Sequence, residues 1–187
     1  MPKMSSEPAA PCQRSTLHGP TMGTRWSASV DADATVDLQA LRQDLAAAVE
    51  QVDAQMSPWK PDSDLVRLNR APVGDWVDLP AEILEVLDCA LDVQRLSAGA
   101  FDPCVGALVD AWGFGAARDV PDAQAIRAAR QSAVPATSQA RLELDRPAGR
   151  ARKHASLQLD LCGIAKGYAV DRMTQVLQQH GVRHALA

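Results

Sequence analysis

The sequence predicts an α+β fold, an antiparallel sheet with helices packed on it, and three observations carry that expectation. From Thr24 to Val30, apolar Trp26, Ala28 and Val30 alternate with Arg25, Ser27 and Ser29, the period of a half-buried strand. Two long segments, Val36 to Met56 and Pro80 to Gly99, instead repeat their apolar residues at helical spacing. Late in the chain, Arg141 to Asp145 and Leu157 to Leu161 alternate again on either side of a turn holding Pro147 and Gly149, which predicts two further strands of an antiparallel arrangement.

Taken in order, residues 1–20 are rich in Pro, Ser and Ala and read as a flexible N-terminal tail, with the folded part spanning 21–187. The first helix carries Leu38, Leu41, Leu45, Val49, Val52 and Met56 on one face and ends before Pro58. Ser63 or Asp62 caps a short helix with Leu65, Val66 and Leu68, and Pro72, Gly74 and Asp75 lead by a loop into a brief strand at Trp76 to Leu79. Pro80 suits the first turn of the second long helix, which Gly99 stops. A short helix is expected around Val105 to Trp112 and another from Pro121 or Asp122 to about Ala133. The residues Tyr168, Met173, Val176 and Leu177 share a face of a last helix that ends at Gly181, and Val182 to Ala187 begins a strand.

The chain has 187 residues, enough for one domain or a large part of one. A net charge of −4 from 19 basic and 23 acidic residues gives no overall positive field for nucleic acid. No apolar run approaches the roughly 18 residues that span a bilayer, and the first twenty residues lack the apolar stretch of a secretory signal, so a cytoplasmic protein without a transmembrane segment is expected. Cys12, Cys89, Cys104 and Cys162 are too scattered for a zinc or dithiol site and read as reduced, mostly buried thiols.

Four stretches carry candidate chemistry. The passage from Leu159 to Gly167, LDLCGIAKG, places small residues and Lys166 where a helix begins, an outline that suits phosphate, though it is neither a Walker A loop nor a dinucleotide turn. Taken alone, it reads first as a tight turn with a solvated lysine, because such turns are common. Ser97 to Pro103, SAGAFDP, sets an aromatic ring and a carboxylate in a Gly/Pro-framed loop, or simply ends a helix. Met56 to Asp64, MSPWKPDSD, holds Trp59 between prolines, a rigid mount for stacking on a heterocycle or for covering the core. Thr21 to Thr24, TMGT, says no more than turn.

In this order and wording, TMGT, MSPWKPDSDLVRLN, SAGAFDPCVGALVDAWGFG and LDLCGIAKGYAVD resemble the FAD:protein FMN transferase family, also called ApbE, over almost all of Thr21 to Ala187. The resemblance implies a transferase that splits FAD and attaches FMN through a phosphoester bond to a Thr or Ser of a target flavoprotein, with magnesium assisting. By motif position it implies that Met22, Trp59, Ala100, Phe101, Asp102, Asp160 and Lys166 contact FAD, and that the Gly163 carbonyl is a metal ligand. Cys162 stands where the family commonly has a smaller residue.

The family's chain continues past the strand that begins at Val182, through a Gly-Gly-Asp segment, a histidine linked to catalysis, and acidic and Thr residues of the metal site. The resemblance therefore implies that this is the N-terminal part of the domain, truncated at its C-terminal side and inactive in transfer as written. The alternative is a non-catalytic flavin-binding or vestigial fragment. His154, His180 and His184 match no family motif, so no catalytic residue is assigned.

Overall fold

The computed structural model describes residues 13–116, 119–132 and 141–187, which divide into two units. One comprises residues up to Glu50 together with Ala169–Ala187, and the other Gln51–Tyr168. Helices α1 (Leu38–Met56) and α6 (Ala165–Gln179) contribute residues to both.

The first unit contains a three-stranded antiparallel sheet in the order β1 (Gln13–Thr21), β2 (Thr24–Ala32), β6 (His184–Leu186). The alternation read in the sequence sets the face: Trp26, Ala28, Val30 and Ala32 all point into a core with Leu41, Leu45 and Val49 of α1 and Met173 and Leu177 of α6. Residues 13–20 depart from expectation. They were expected to be tail but form most of β1, paired residue for residue with β2 from Gln13↔Ala32 to Thr21↔Thr24. Gly19 reads as a strand breaker, yet it lies opposite Trp26, and a Cβ there would come within 2.7 Å of the indole Nε1. Pro20 is admitted because β1 lies at the end of the described sheet order, where a missing N–H costs little. Met22 and Gly23, with φ of 44° and 69°, form the two-residue turn that the twist of a hairpin favours.

In the second unit, Ser63 caps α2 (Asp64–Arg70), its hydroxyl accepting from Val66 N, so Ser63 and not Asp62 is the cap. Strand β3 (Trp76–Asp78) leads to α3 (Ala81–Leu96), with Pro80 just outside the helix at its N-cap. Ala98 and Gly99, both left-handed, end it, and Gly99 N donates to Gln94 O. Helices α4 (Gly106–Ala111) and α5 (Ala123–Ser132) follow, the latter capped by Asp122, whose Oδ1 accepts from Gln124 N and Ala125 N. The expected end of α5 at Ala133 lies outside the described residues. Strands β4 (Leu142–Asp145) and β5 (Arg150–Lys153) complete a second antiparallel sheet in the order β3-β5-β4.

The late hairpin is therefore corrected. The partner of β4 is β5, and Leu157–Leu161 forms no ladder strand, only a single parallel bridge from Gln158 to Val105. The sequence of β5, Arg-Ala-Arg-Lys, hides its strand character because its inward residues are Ala151 and the aliphatic stem of a buried Lys153. Its outward arginines, Arg150 and Arg152, flank the Trp76 ring at 4.5 and 4.4 Å. Alternation in 157–161 is real, with Leu159 and Leu161 buried, but its backbone partners are not strands. Among the described residues no helix is long and apolar enough to cross a membrane.

Candidate functional site

Phe101, Asp102, Asp160 and Gly163 come together where the SAGAFDP loop meets the LDLCGIAKG passage. Left-handed Ala98 and Gly99 turn the chain sharply after α3, and Ser97 Oγ accepts from Phe101 N at 3.1 Å. This fixes the Phe101 ring against the other passage, where a Cβ on Gly163 would lie 3.1 Å from ring carbon Cε2. Asp160 N donates to Pro103 O at 2.8 Å, joining the two segments by their backbones. Asp160 also closes its own turn, its Oδ1 accepting from Cys162 N at 2.7 Å.

Asp102 is held firmly on one side. Its Oδ1 accepts from Gln94 Nε2 at 2.6 Å and from Cys104 N at 2.9 Å, so the carboxylate locks the loop after α3. Its Oδ2 lies 3.8 Å from Nη2 of Arg141, a guanidinium whose Nε and Nη2 are buried without a hydrogen-bond partner among the described residues. Burial raises the Cys104 thiol above its ordinary range, with Arg141 pulling the other way. Burial and then the Asp160 carboxylate push Cys162 up to about 12, against the opposing pull of Lys166. The expectation of mostly buried cysteines is corrected: Cys104 and Cys162 are half-buried and Cys89 is exposed, while Cys12 lies outside the described residues.

The Trp59 loop is built separately and tied in through α2. Ser57 Oγ accepts from Trp59 N at 3.3 Å, Ser63 Oγ donates to Ser57 O at 2.7 Å, and Lys60 pairs with the buried Asp53 at 2.8 Å. These bonds leave the Trp59 ring 54% exposed, so it does not cover the core. From the far end of α2, Asn69 reaches the other motif: its Nδ2 donates to Leu159 O at 2.9 Å and its Oδ1 accepts from Leu159 N at 2.8 Å. A cavity of about 840 Å³ lies beside these elements, lined by Pro58, Asn69, Asp102, Asp110, Arg141 and Gln158 among others.

Of the predicted residues, Phe101, Asp102, Asp160 and Gly163 are thus joined by direct contacts or by those of adjacent backbone. Ala100 is exposed in the same loop, and its N donates to Ser97 O. Lys166 is exposed in the first turn of α6, three residues beyond Gly163, where the helix dipole adds to its charge. Met22 belongs to the first unit, at the tip of the β1–β2 hairpin. Asn69 and Arg141 were not singled out by sequence reasoning. Asn69 sat inside the motif MSPWKPDSDLVRLN, but nothing in helical periodicity marks a polar residue at a helix end as a bridge.

The Gly163 carbonyl is a single oxygen, and among the described residues no group of three or more His, Cys, Asp or Glu stands together to hold a metal. Magnesium seeks an octahedron of oxygens. The described residues alone do not compose that site.

This arrangement suits a ligand with a planar ring and a phosphate: an exposed indole on a fixed loop, a phenyl ring packed on a glycine turn, and a lysine at a helix N-terminus. The model of the ApbE family matches residues 22–187. An FAD:protein FMN transferase of Klebsiella pneumoniae is 32% identical over 97% of this chain and 53% of its own length. One from Vibrio cholerae is 31% identical over 93% of this chain and 52% of its own. The chain thus spans about half the length of these curated relatives. Among solved structures, the Pseudomonas stutzeri flavinyl transferase ApbE in its apo form superimposes with a TM-score of 0.82 at 32% identity, covering 96% of this chain and 60% of that one. The Vibrio cholerae flavin transferase ApbE gives 0.83 at 30% identity, covering 94% of this chain and 56% of that one. With a family match across nearly its whole length and the fold in common, this α+β chain belongs to the ApbE family.

Proposed function

We propose that this chain provides the flavin site of an FAD:protein FMN transferase, which moves FMN from FAD to a Thr or Ser of a target flavoprotein. One observation carries the reading: Gly163 packs beneath Phe101 while Asp160 is bonded to Pro103, so two motifs about sixty residues apart in sequence build one surface. In the reaction the acceptor oxygen bonds to the phosphorus of the FMN half, the pyrophosphate P–O bond breaks, and AMP departs with the electron pair.

Each residue has a physical task in this reading. Trp59 stacks on a heterocycle from a loop that needs no ligand to hold its shape. Phe101 supplies an apolar wall, and Asp102 keeps that wall in place through Gln94 and Cys104. Lys166 and the start of α6 receive the negative charge of the pyrophosphate. Ala100 lets a ligand approach the loop closely, and Met22 is assigned to the flavin only by its place in the TMGT motif. The Gly163 carbonyl would be one ligand of a magnesium ion, which would supply neutralisation of the phosphate charge.

The test is to incubate the purified protein with FAD, magnesium and an acceptor flavoprotein, then to look for flavin fluorescence on the acceptor after denaturing electrophoresis. A fluorescent acceptor band that is lost in Lys166→Gln supports transfer. FAD binding with no band assigns the chain to flavin binding without catalysis, and no FAD binding removes the flavin reading altogether.

A further inference from the structure

The segment 157–161 has the burial pattern of a strand but joins neither described sheet: one backbone edge meets residues 103–106, through the Gln158–Val105 bridge and the bond from Asp160 N to Pro103 O, and on the other edge a single side chain stands where a strand would. The Asn69 amide exchanges two hydrogen bonds with Leu159, Nδ2 to Leu159 O at 2.9 Å and Leu159 N to Oδ1 at 2.8 Å, the pairing that a neighbouring backbone would make. A primary amide matches a peptide group in this way because it carries a donor and an acceptor side by side.

Asn69 is itself anchored. It lies at the C-terminal end of α2, where the last carbonyls lack helical partners, and its own carbonyl accepts from Lys153 Nζ at 2.6 Å. Lys153 comes from β5 and is buried, so a cation rests on the negative end of the helix out of reach of bulk solvent. Downstream of the clamp the order passes on by short bonds: Asp160 N to Pro103 O, Asp160 Oδ1 from Cys162 N, then Gly163 against Phe101.

We infer that Asn69 is a positioning residue for the nucleotide site: its side-chain amide, held by Lys153, fixes the height and direction of the Asp160–Lys166 turn against the Phe101 loop. The inference rests on the flavin-site reading above and adds to it a residue whose side-chain amide is bonded to Leu159 and stands outside the set proposed to contact FAD. Asn69 acts only through Leu159, so its removal leaves every proposed ligand contact chemically intact and misplaces several of them together.

The experiment compares Asn69→Ala and the isosteric Asn69→Asp with a control, Leu68→Ala, which opens a cavity in the same helix at a fully buried site. Two quantities are read at a temperature where all variants are folded: the FAD dissociation constant, and amide exchange at Leu159 and Cys162. Loss of the clamp weakens FAD binding about tenfold and speeds exchange at Leu159 and Cys162 by about tenfold or more in Asn69→Ala. Asn69→Asp keeps the acceptor for Leu159 N but sets a carboxylate oxygen against Leu159 O, so it weakens FAD binding likewise while Leu159 N stays protected. Leu68→Ala lowers Tm at least as much yet leaves FAD affinity within about twofold. Should Asn69→Ala fail to fold, Asn69→Asp carries the comparison. Unchanged FAD affinity in a folded Asn69 variant, or a Leu68→Ala defect of equal size, overturns the inference. Wild-type protein that binds no FAD overturns the flavin reading instead, and the exchange at Leu159 and Cys162 still decides whether Asn69 holds the turn.

Discussion

Gly163 lies directly beneath the ring of Phe101: a Cβ at 163 would stand 3.1 Å from Cε2, so even an alanine would push the ring by a few tenths of an ångström. The position has no left-handed φ, so glycine is favoured there by space and not by backbone conformation. Gly163→Val drives its branches into the ring, and because Phe101 N is tied to Ser97 Oγ the ring cannot retreat without loosening the loop. Overpacking of this kind costs about 1–3 kcal/mol. The expected result is FAD affinity weakened by about tenfold in a protein that still folds, read by flavin fluorescence titration. An unaltered dissociation constant means that Phe101 swings away freely and does not shape the site.

The Ser63 hydroxyl does two things at once: it accepts from Val66 N as the cap of α2 and donates to Ser57 O below the Trp59 loop. Ser63→Ala removes the cap, worth about 1 kcal/mol, and strands a buried carbonyl at about 1–2 kcal/mol more. Thermal unfolding should shift down by roughly 4–12 °C for a protein of this size. A shift below one degree would show that water replaces the hydroxyl at both partners.

How far the sequence revealed this arrangement depended on whether periodicity or a side-chain contact decided it. Helices α1, α3 and α6 and strand β2 were legible because each buries one regular face, Trp26, Ala28 and Val30 being the plainest case. Strand β1 was hidden because its one large inward residue is Leu17 and because Gly19 yields its Cβ space to Trp26. Strand β5 was hidden by charge, its outward arginines flanking Trp76 and its inward lysine bonded to Asn69. Motif order pointed to the Phe101 loop and the Asp160–Lys166 turn, but the bridge between α2 and Leu159 is a single amide and leaves no pattern.

Lys153 makes stability depend on alkaline pH in a definite direction. Burial lowers its pKa below 10.5 in the folded protein, so between the folded and unfolded values the unfolded chain binds more protons. Stability from this group therefore rises as pH increases through that window and is least below the folded pKa, where the ammonium must be buried charged. Lys153→Met has no such group. Comparing Tm of the two proteins from pH 7 to 10.5, the difference should move in favour of the wild type as pH rises. A constant difference would mean that the Asn69 carbonyl and the end of α2 fully offset the desolvation of the ammonium.

The three described cysteines should react in an order set by exposure and thiolate content. Cys89 is exposed, whereas burial raises Cys104 and pushes Cys162 up to about 12 beside Asp160. Iodoacetamide at pH 8 should alkylate Cys89 at least about tenfold faster than Cys162, followed by peptide mapping in a mass spectrometer. Equal rates would show that the turn after Asp160 opens readily. FAD, if it seats on Phe101 and Lys166, should slow Cys162 further and leave Cys89 unaffected.

Trp59 offers the sharpest separation of stability from binding. Its ring is 54% exposed, and its loop is held without it by Ser57, by Ser63 and by the pair of Lys60 with Asp53. Truncating the ring therefore removes little buried area, and Trp59→Ala should change Tm by no more than a degree or two. Stacking on a heterocycle is worth about 1–3 kcal/mol by such truncation, so FAD binding should weaken by roughly five- to a hundredfold. Trp59→Phe keeps a smaller aromatic face and should recover part of the loss, which a role in loop rigidity alone would not predict. The outcome against this assignment is a stable Trp59→Ala protein with wild-type FAD affinity, because it would place the heterocycle elsewhere and leave the exposed indole without a part in the flavin site.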